Sequence, residues 1–309
     1  MGRSARWPYS ARIRGHFARL TGSTVPAIKP ADGLVVPEIF SPTVAAALPK
    51  IMELIKGPRV AVFHDAIALK LPELSPPGTV TRFPSYLREL LRFDGIAAVS
   101  ADSRDSLLDY WKWIGADNPP PVLCIPIGVD EKSSPSEAAG PLPMNRDPVV
   151  LCVGTLEARK NHVALLQACE ELWIAGLRFE LHLIGLAQAQ TGRRAVDQIR
   201  RLQAAGYPLR YDGPVSEDAL RDAYRRSTFT VYPSLMEGFG LPVLESLHYG
   251  RPCICSGAGA LGEASSGGGC LTLDQVDAPS LSAGIRRLLA APDERNKLAQ
   301  IAGHRNLRT

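Results

Sequence analysis

Short apolar runs alternate along this chain with longer stretches whose apolar residues return every three or four positions. Residues 33–36, 59–63, 95–99 and 122–127 are nearly continuous apolar runs, the pattern of strands covered on both faces. Between them, residues 42–56 set Val44, Leu48, Ile51 and Ile55 on one side of a helix. Residues 81–93 and 100–114 keep the helical period, the second with Ser100 or Asp102 available as its cap.

The alternation stops over residues 130–147, where Ser133, Ser134, Pro135, Ser136, Gly140, Pro141 and Pro143 read as a linker. It then resumes with strands at 148–153, 179–184, 209–211, 229–232, 252–255 and 270–273. Helices are predicted at 161–175, 193–205, 217–226 behind Ser216, 242–249, 278–290 and 292–302. The expected fold is therefore α/β, with two Rossmann-like doubly wound parallel sheets. The boundaries predicted are a basic segment at 1–31, a first domain at 32–130, a linker at 131–147 and a second domain at 148–309.

A chain of 309 residues is long enough for two such domains. Hydrophobic residues at 45% and charged residues at 21% are ordinary for a globular protein, and a net charge of +4 is too small to imply nucleic acid. No apolar run is long enough to span a membrane, so a cytoplasmic protein is expected. Arg3, Arg6, Arg12, Arg14 and Arg19, with Trp7, Tyr9 and Phe17 between them, read as a frayed basic terminus. Peripheral contact with an anionic inner membrane face is the alternative for that segment. None of the six cysteines forms a C-x-x-C pair, and Cys253 and Cys255 fall on one face of a strand, which favours buried free thiols.

The stretch that concentrates chemistry runs from Tyr232 to Glu245. It leaves an apolar strand, passes Glu237, Gly238, Phe239, Gly240 and Leu241, and enters a helix behind Pro242. A helix start attracts phosphate, and the two glycines admit a ligand close to the backbone. Carboxylates at Glu237 and Glu245 accept hydroxyl hydrogens. Together these point to a ligand with both phosphate and hydroxyls, such as a sugar nucleotide. Helix-start acids complementing the dipole are the structural alternative, which suits Glu245 better than Glu237. Residues 154–161 form a second strand-to-helix turn, from Gly154 to the adjacent cations Arg159 and Lys160, which can grip phosphate or, as the structural alternative, are two solvated surface charges. His64, followed by Asp65, ends another strand and is either a group at the reacting centre or a satisfied core histidine. The glycines at 257, 259 and 267–269 match no phosphate-loop pattern; 267–269 read as a turn and the loop after Ser256 as a candidate cleft lining, and neither a metal-ligand cluster nor G-x-S-x-G is present.

With these residues in view, the chain resembles the retaining glycosyltransferases of family 4, which have the GT-B fold. The E-x7-E segment from Glu237 to Glu245 carries the likeness, with residues 154–161, Gly185, Gly213-Pro214-Val215, His64-Asp65 through Leu71-Pro72-Glu73, and 125–130 in support, especially of a mannosyltransferase-like branch. The resemblance implies metal-independent hexosyl transfer from a GDP- or UDP-sugar to a glycan or lipid-linked acceptor, with no cofactor. By it, Glu245 would hold the ribose, Glu237 the sugar, and Arg159 and Lys160 the diphosphate, and His64 would reach the sugar from the facing domain. Gly154, Gly185, Val215 and the 238–241 backbone would complete the donor site. Many relatives carry Arg where this chain has Thr155, so the charge falls to Arg159. Relatives also have more chain before the His-Asp strand and a helix crossing back after the last one, so shortening at both termini is expected. The alternatives are a non-catalytic protein that binds nucleotide sugars, or an epimerase or phosphorylase of the same shape.

Overall fold

The computed structural model describes residues 33–128 and 147–305. The predicted basic segment, and all of the predicted linker except Asp147, lie outside the described residues.

The first part of the chain runs β1 (Leu34–Val36), α1 (Pro42–Glu53), β2 (Arg59–Phe63), α2 (Ile67–Lys70), α3 (Pro77–Glu89), β3 (Gly95–Ala98), α4 (Ala101–Trp113) and β4 (Val122–Cys124). Its four strands pair in parallel in the order β1-β2-β3-β4. The register pairs Phe63 with Ala98 and Ala61 with Ile96, so these residues share the face that meets Phe83, Tyr86, Leu87, Leu107 and Trp111 of α3 and α4.

The opposite face departs from expectation. Val35 is 67% exposed and Leu123 65%, and neighbours Val60, Val62 and Ala97 are only partly covered. Among the described residues α1, α3 and α4 all supply the core on the other side, so this sheet is covered on one face rather than two.

Two boundaries also shift. The helix predicted from Thr81 starts at Pro77, because proline presets the backbone angle of a first helical residue and Thr79 and Val80 bond to the Pro76 carbonyl. The strand predicted to reach Ile127 ends at Cys124, since Pro126 has no N–H to give a ladder. Ser100, rather than Asp102, caps α4, accepting from Ser103 N at 3.1 Å.

The second part runs β5 (Val149–Val153), α5 (His162–Ile174), β6 (Glu180–Ile184), α6 (Arg193–Ala204), β7 (Leu209–Tyr211), α7 (Glu217–Arg226), β8 (Phe229–Tyr232), α8 (Leu241–His248), β9 (Cys253–Ser256), α9 (Gly259–Ser265), β10 (Cys270–Leu273), α10 (Ala278–Ala290) and α11 (Pro292–Gly303). Its parallel strands lie in the order β10-β9-β8-β5-β6-β7. One face buries Leu165, Cys169, Leu172, Ile199, Leu202 and Ile285 of α5, α6 and α10. The other meets Tyr224 of α7, Val243, Leu244 and Leu247 of α8 and Leu261 of α9. This sheet has the two-sided cover that its continuous apolar strands require. The stretch after Ser256, expected as a loop, holds the short α9, because Ala260, Leu261 and Ala264 bury a stripe beside α8 that outweighs the poor helix propensity of glycine. Cys253 and Cys255 are buried and free, as expected. No described helix is long and apolar enough to cross a membrane.

The strand order reverses between β5 and β8. From β5 the chain steps outward to β6 and β7, then returns to place β8 on the other side of β5. Such a reversal opens a crevice beyond the strand ends. Glycines let the neighbouring ends close up. Gly154 N bonds to Ile184 O at 2.9 Å, and Gly185 N to Gly213 O at 2.9 Å. A methyl group on Gly185 would sit 1.9 Å from the Gly154 carbonyl oxygen, at a backbone φ of +151°. Gly185→Ala should therefore destabilise the protein by roughly 1–3 kcal/mol through overpacking, read as a lower thermal midpoint.

Candidate functional site

The turn after β5 and the loop after β8 flank the reversal point, and they carry the opposed charges. Residues Ala158–Lys160 form one 3-10 turn, and Asn161 takes a left-handed φ of 55°. The Asn161 side chain fixes this by donating to Val276 O at 2.6 Å. Leu235 N bonds to Arg159 O at 2.9 Å, which ties the two loops together through the backbone.

Across that tie lies a compact ion cluster. One Glu237 oxygen meets Lys160 Nζ at 2.6 Å, and the other meets Arg159 Nη1 at 2.9 Å. Tyr232, the last residue of β8, donates its hydroxyl to Glu237 at 3.0 Å and lies beside Lys160 Nζ. Arg159 also reaches Glu157 at 2.7 Å and the Met236 carbonyl at 3.2 Å. Glu237 is only 9% exposed and Lys160 8%. Burial pushes the Glu237 carboxyl up, but the Lys160 and Arg159 cations more than offset it and hold it below the usual carboxylate range. Arg159 and Lys160, expected to stand ready for phosphate, are thus already paired with Glu237, because a carboxylate this buried requires cations.

Glu245 lies one turn into α8, half-buried, and accepts a hydrogen bond from the Tyr224 hydroxyl at 2.9 Å. Tyr224 belongs to α7, stacks on Tyr249 at 5.0 Å and is fixed from behind by Arg251. That buried guanidinium donates to the Tyr224 and Arg225 carbonyls at 3.1 and 2.8 Å, so it caps the end of α7, and burial pulls its pKa down to about 10. Gly240 precedes α8 at φ 96°, a left-handed angle that glycine adopts readily. Phe239 packs against Val243, Leu244 and their neighbours, while Leu241 opens the helix and is exposed. In the first turn of α8, Pro242 has no N–H, and Val243 and Leu244 donate theirs to Gly240 O at 3.0 and 3.4 Å.

The first sheet reaches this loop at His64. A methyl group on Gly238 would lie 2.4 Å from the His64 carbonyl oxygen, so glycine is needed where the two halves touch. The Ser103 hydroxyl bonds to the His64 carbonyl at 2.8 Å and the Gly238 carbonyl at 3.3 Å. The His64 ring bonds to Pro37, with Nε2 donating to its carbonyl oxygen at 2.7 Å. The contact of His64 with the Glu237 loop runs through its backbone carbonyl. Asp65 accepts from Ile67 N at 3.0 Å. Burial pushes its carboxyl above the usual range, against the Ile67 amide and the charge of Arg159.

Gly154 and Gly185 sit at neighbouring strand ends beside this cluster, and Val215 lies farther along the rim, partly buried with Leu151 and Tyr224. Val215, His182, Arg210 and Asp212 also line a cavity of about 1060 Å³ along β6 and β7, which Glu237, Arg159 and Lys160 do not line. Three residues at the site escaped the sequence reading: Glu157, Tyr232 and Tyr224 had no assigned role. Tyr232 and Glu157 were legible in principle, lying beside residues already singled out. Tyr224 comes from another helix, and no spacing points to it. No group of three or more His, Cys, Asp or Glu side chains among the described residues is placed to share a metal ion.

Comparison with known proteins adds a family to this geometry. A family model described as glycosyl transferases group 1 matches residues 136–305. The serotype-specific mannosyltransferase WbdA of Escherichia coli is 28% identical over 260 residues, covering 78% of this chain and 31% of that protein. O-antigen chain mannosyltransferase B of Escherichia coli is 30% identical over 238 residues, covering 74% of this chain and 61% of that protein. The chain therefore spans less than two thirds of either relative. Among solved structures, sucrose-phosphate synthase from Thermosynechococcus elongatus superposes with a TM-score of 0.70 at 19% identity, over 95% of this chain and 71% of that one. A UDP-forming α,α-trehalose-phosphate synthase from Burkholderia xenovorans gives 0.70 at 18%, over 96% and 75%. At these identities the likeness is one of fold, and the fold is GT-B.

Removing the shared carboxylate should expose the cost of the cluster. Glu237→Gln leaves the buried Lys160 without its carboxylate and Arg159 with Glu157 alone, and should lower stability at pH 7 by roughly 3–5 kcal/mol. The depressed folded pKa means that the cluster contributes stability above the unfolded value of about 4.3, lost as pH falls through the folded value. Chemical denaturation across that window should show a shallower acid limb in the variant.

Proposed function

The chain belongs to the glycosyl transferases of group 1, and on that footing we propose that it moves a mannose-like hexosyl group from a GDP- or UDP-linked donor to the hydroxyl of a glycan or lipid-linked acceptor. Transfer proceeds with retention and without a metal. The observation that carries this reading is the Glu237–Lys160–Arg159 cluster at the reversal point of the second sheet, with Glu245 one turn into the adjoining helix. The mannosyltransferase names of both curated relatives support the choice of sugar.

On this reading Glu245, oriented by Tyr224, accepts the ribose hydroxyls. Glu237 accepts a hydroxyl of the donor sugar. Arg159 and Lys160 face the diphosphate and, with the amides of residues 238–241, stabilise the charge that grows on it as it leaves. The bond between the anomeric carbon and the phosphate oxygen breaks, and the acceptor oxygen bonds to the same face of that carbon. The acceptor proton passes to the departing phosphate. Diphosphate thus competes with Glu237 and Glu157 for the same cations, which couples donor binding to a rearrangement of the ion cluster.

Calorimetric titration with GDP-mannose, UDP-glucose and UDP-N-acetylglucosamine, followed by a transfer assay with excess EDTA, tests this directly. One donor should bind, and EDTA should leave the rate unchanged. Absence of binding by all three would sink the proposal, whereas binding without turnover would favour a nucleotide-sugar-binding protein. Glu245→Ala should weaken nucleotide binding about tenfold or more, equivalent to at least ~1.4 kcal/mol. Glu237→Ala, assayed well below its own melting midpoint, should mainly lower turnover.

A further inference from the structure

The two sheets meet at a second place, at the start of α4. The N–H groups of Ala101 and Asp102 both donate to the carboxylate of Glu263, at 2.9 and 2.7 Å. Glu263 belongs to α9, at the rim of the other sheet. The first N–H groups of a helix have no partner within it and carry its positive end, so a carboxylate is their best acceptor. The third, that of Ser103, is met by Ser100. A side chain from the opposite domain thus completes the cap that the local sequence begins.

The neighbouring contacts run through the same few residues. The Ser103 hydroxyl, one residue beyond Asp102, touches the carbonyls of both His64 and Gly238. Lys70 pairs with Asp102 at 3.4 Å, and a methyl group on Gly259 would lie 3.4 Å from the Asp102 carboxylate. Any slip of α4 against α9 therefore also slides His64 along the Glu237 loop.

We propose that Glu263 is a positioning residue, a latch whose carboxylate seats on the first turn of α4 and holds the His64–Asp65 rim against the Glu237–Gly238 loop for transfer. This rests on the glycosyl-transfer reading. Glu263 is exposed, and it gives up no buried charge when it lets go. A contact of that kind opens cheaply for substrate to enter and product to leave. The residues assigned to the nucleotide, Arg159, Lys160 and Glu245, all lie on the second sheet and do not depend on the latch.

The test compares wild type with Glu263→Ala and Glu263→Gln in the full chain. The alanine variant should bind GDP or UDP, whichever the wild type takes, within twofold of the wild-type affinity. Its kcat should fall about tenfold or more while the donor KM changes little. Hydrogen exchange over the peptide containing Ala101 and Asp102 should quicken, and the glutamine variant, which keeps one acceptor without the charge, should fall between. A kcat within twofold of wild type would overturn the latch, as would a nucleotide affinity that falls in step with kcat. If the wild type neither binds nucleotide nor turns over, the transfer reading fails. The exchange measurement then still decides the latch, because unchanged protection of Ala101 and Asp102 in Glu263→Ala overturns it.

Discussion

One buried carboxylate constrains the rim of the second sheet. Glu237 stays ionised among apolar strand ends only because Lys160 and Arg159 approach it from the next loop and Tyr232 donates from below. An unpaired charge at that depth would cost several kcal/mol. The two loops are therefore not independent surface features. They are held in a fixed relation by the ion cluster and by the Leu235–Arg159 backbone bond. The strand order makes this possible, since β5 and β8 are neighbours only because the chain doubles back across β5.

Close approach is the second constraint, and glycines meet it at two levels. Within the second sheet, Gly185 lets the ends of β5 and β6 come together without a side chain between them. Between the sheets, Gly238 does the same for the Glu237 loop and the His64 carbonyl. The side chains that orient the charged groups lie one layer further back. Arg251 caps α7, α7 holds Tyr224, and Tyr224 aims Glu245.

The two sheets are finished differently. The second buries both faces, and its continuous apolar strands are matched by helices on each side. The first is covered on one face among the described residues, and Val35 and Leu123 face outward. Its contribution to the site is narrow, resting on the ends of β2 and β3 and the start of α4.

The sequence by itself determined the number and order of most elements, because strand and helix periods are local properties of the apolar pattern. It also marked Glu237, Glu245, Arg159, Lys160 and His64, since they lie in or next to the loops that follow predicted strands, where such sheets bind ligands. It did not reveal α9, where burial beside α8 overrides a glycine-rich local preference, or the bare face of the first sheet, which depends on where every helix lands. Only the tertiary structure decided that Arg159 and Lys160 are paired with Glu237, that Tyr224 serves Glu245, and that the His64 ring turns to Pro37. Those are contacts between residues distant in the chain or free to rotate. Their energies depend on depth and geometry, which the order of residues does not encode locally.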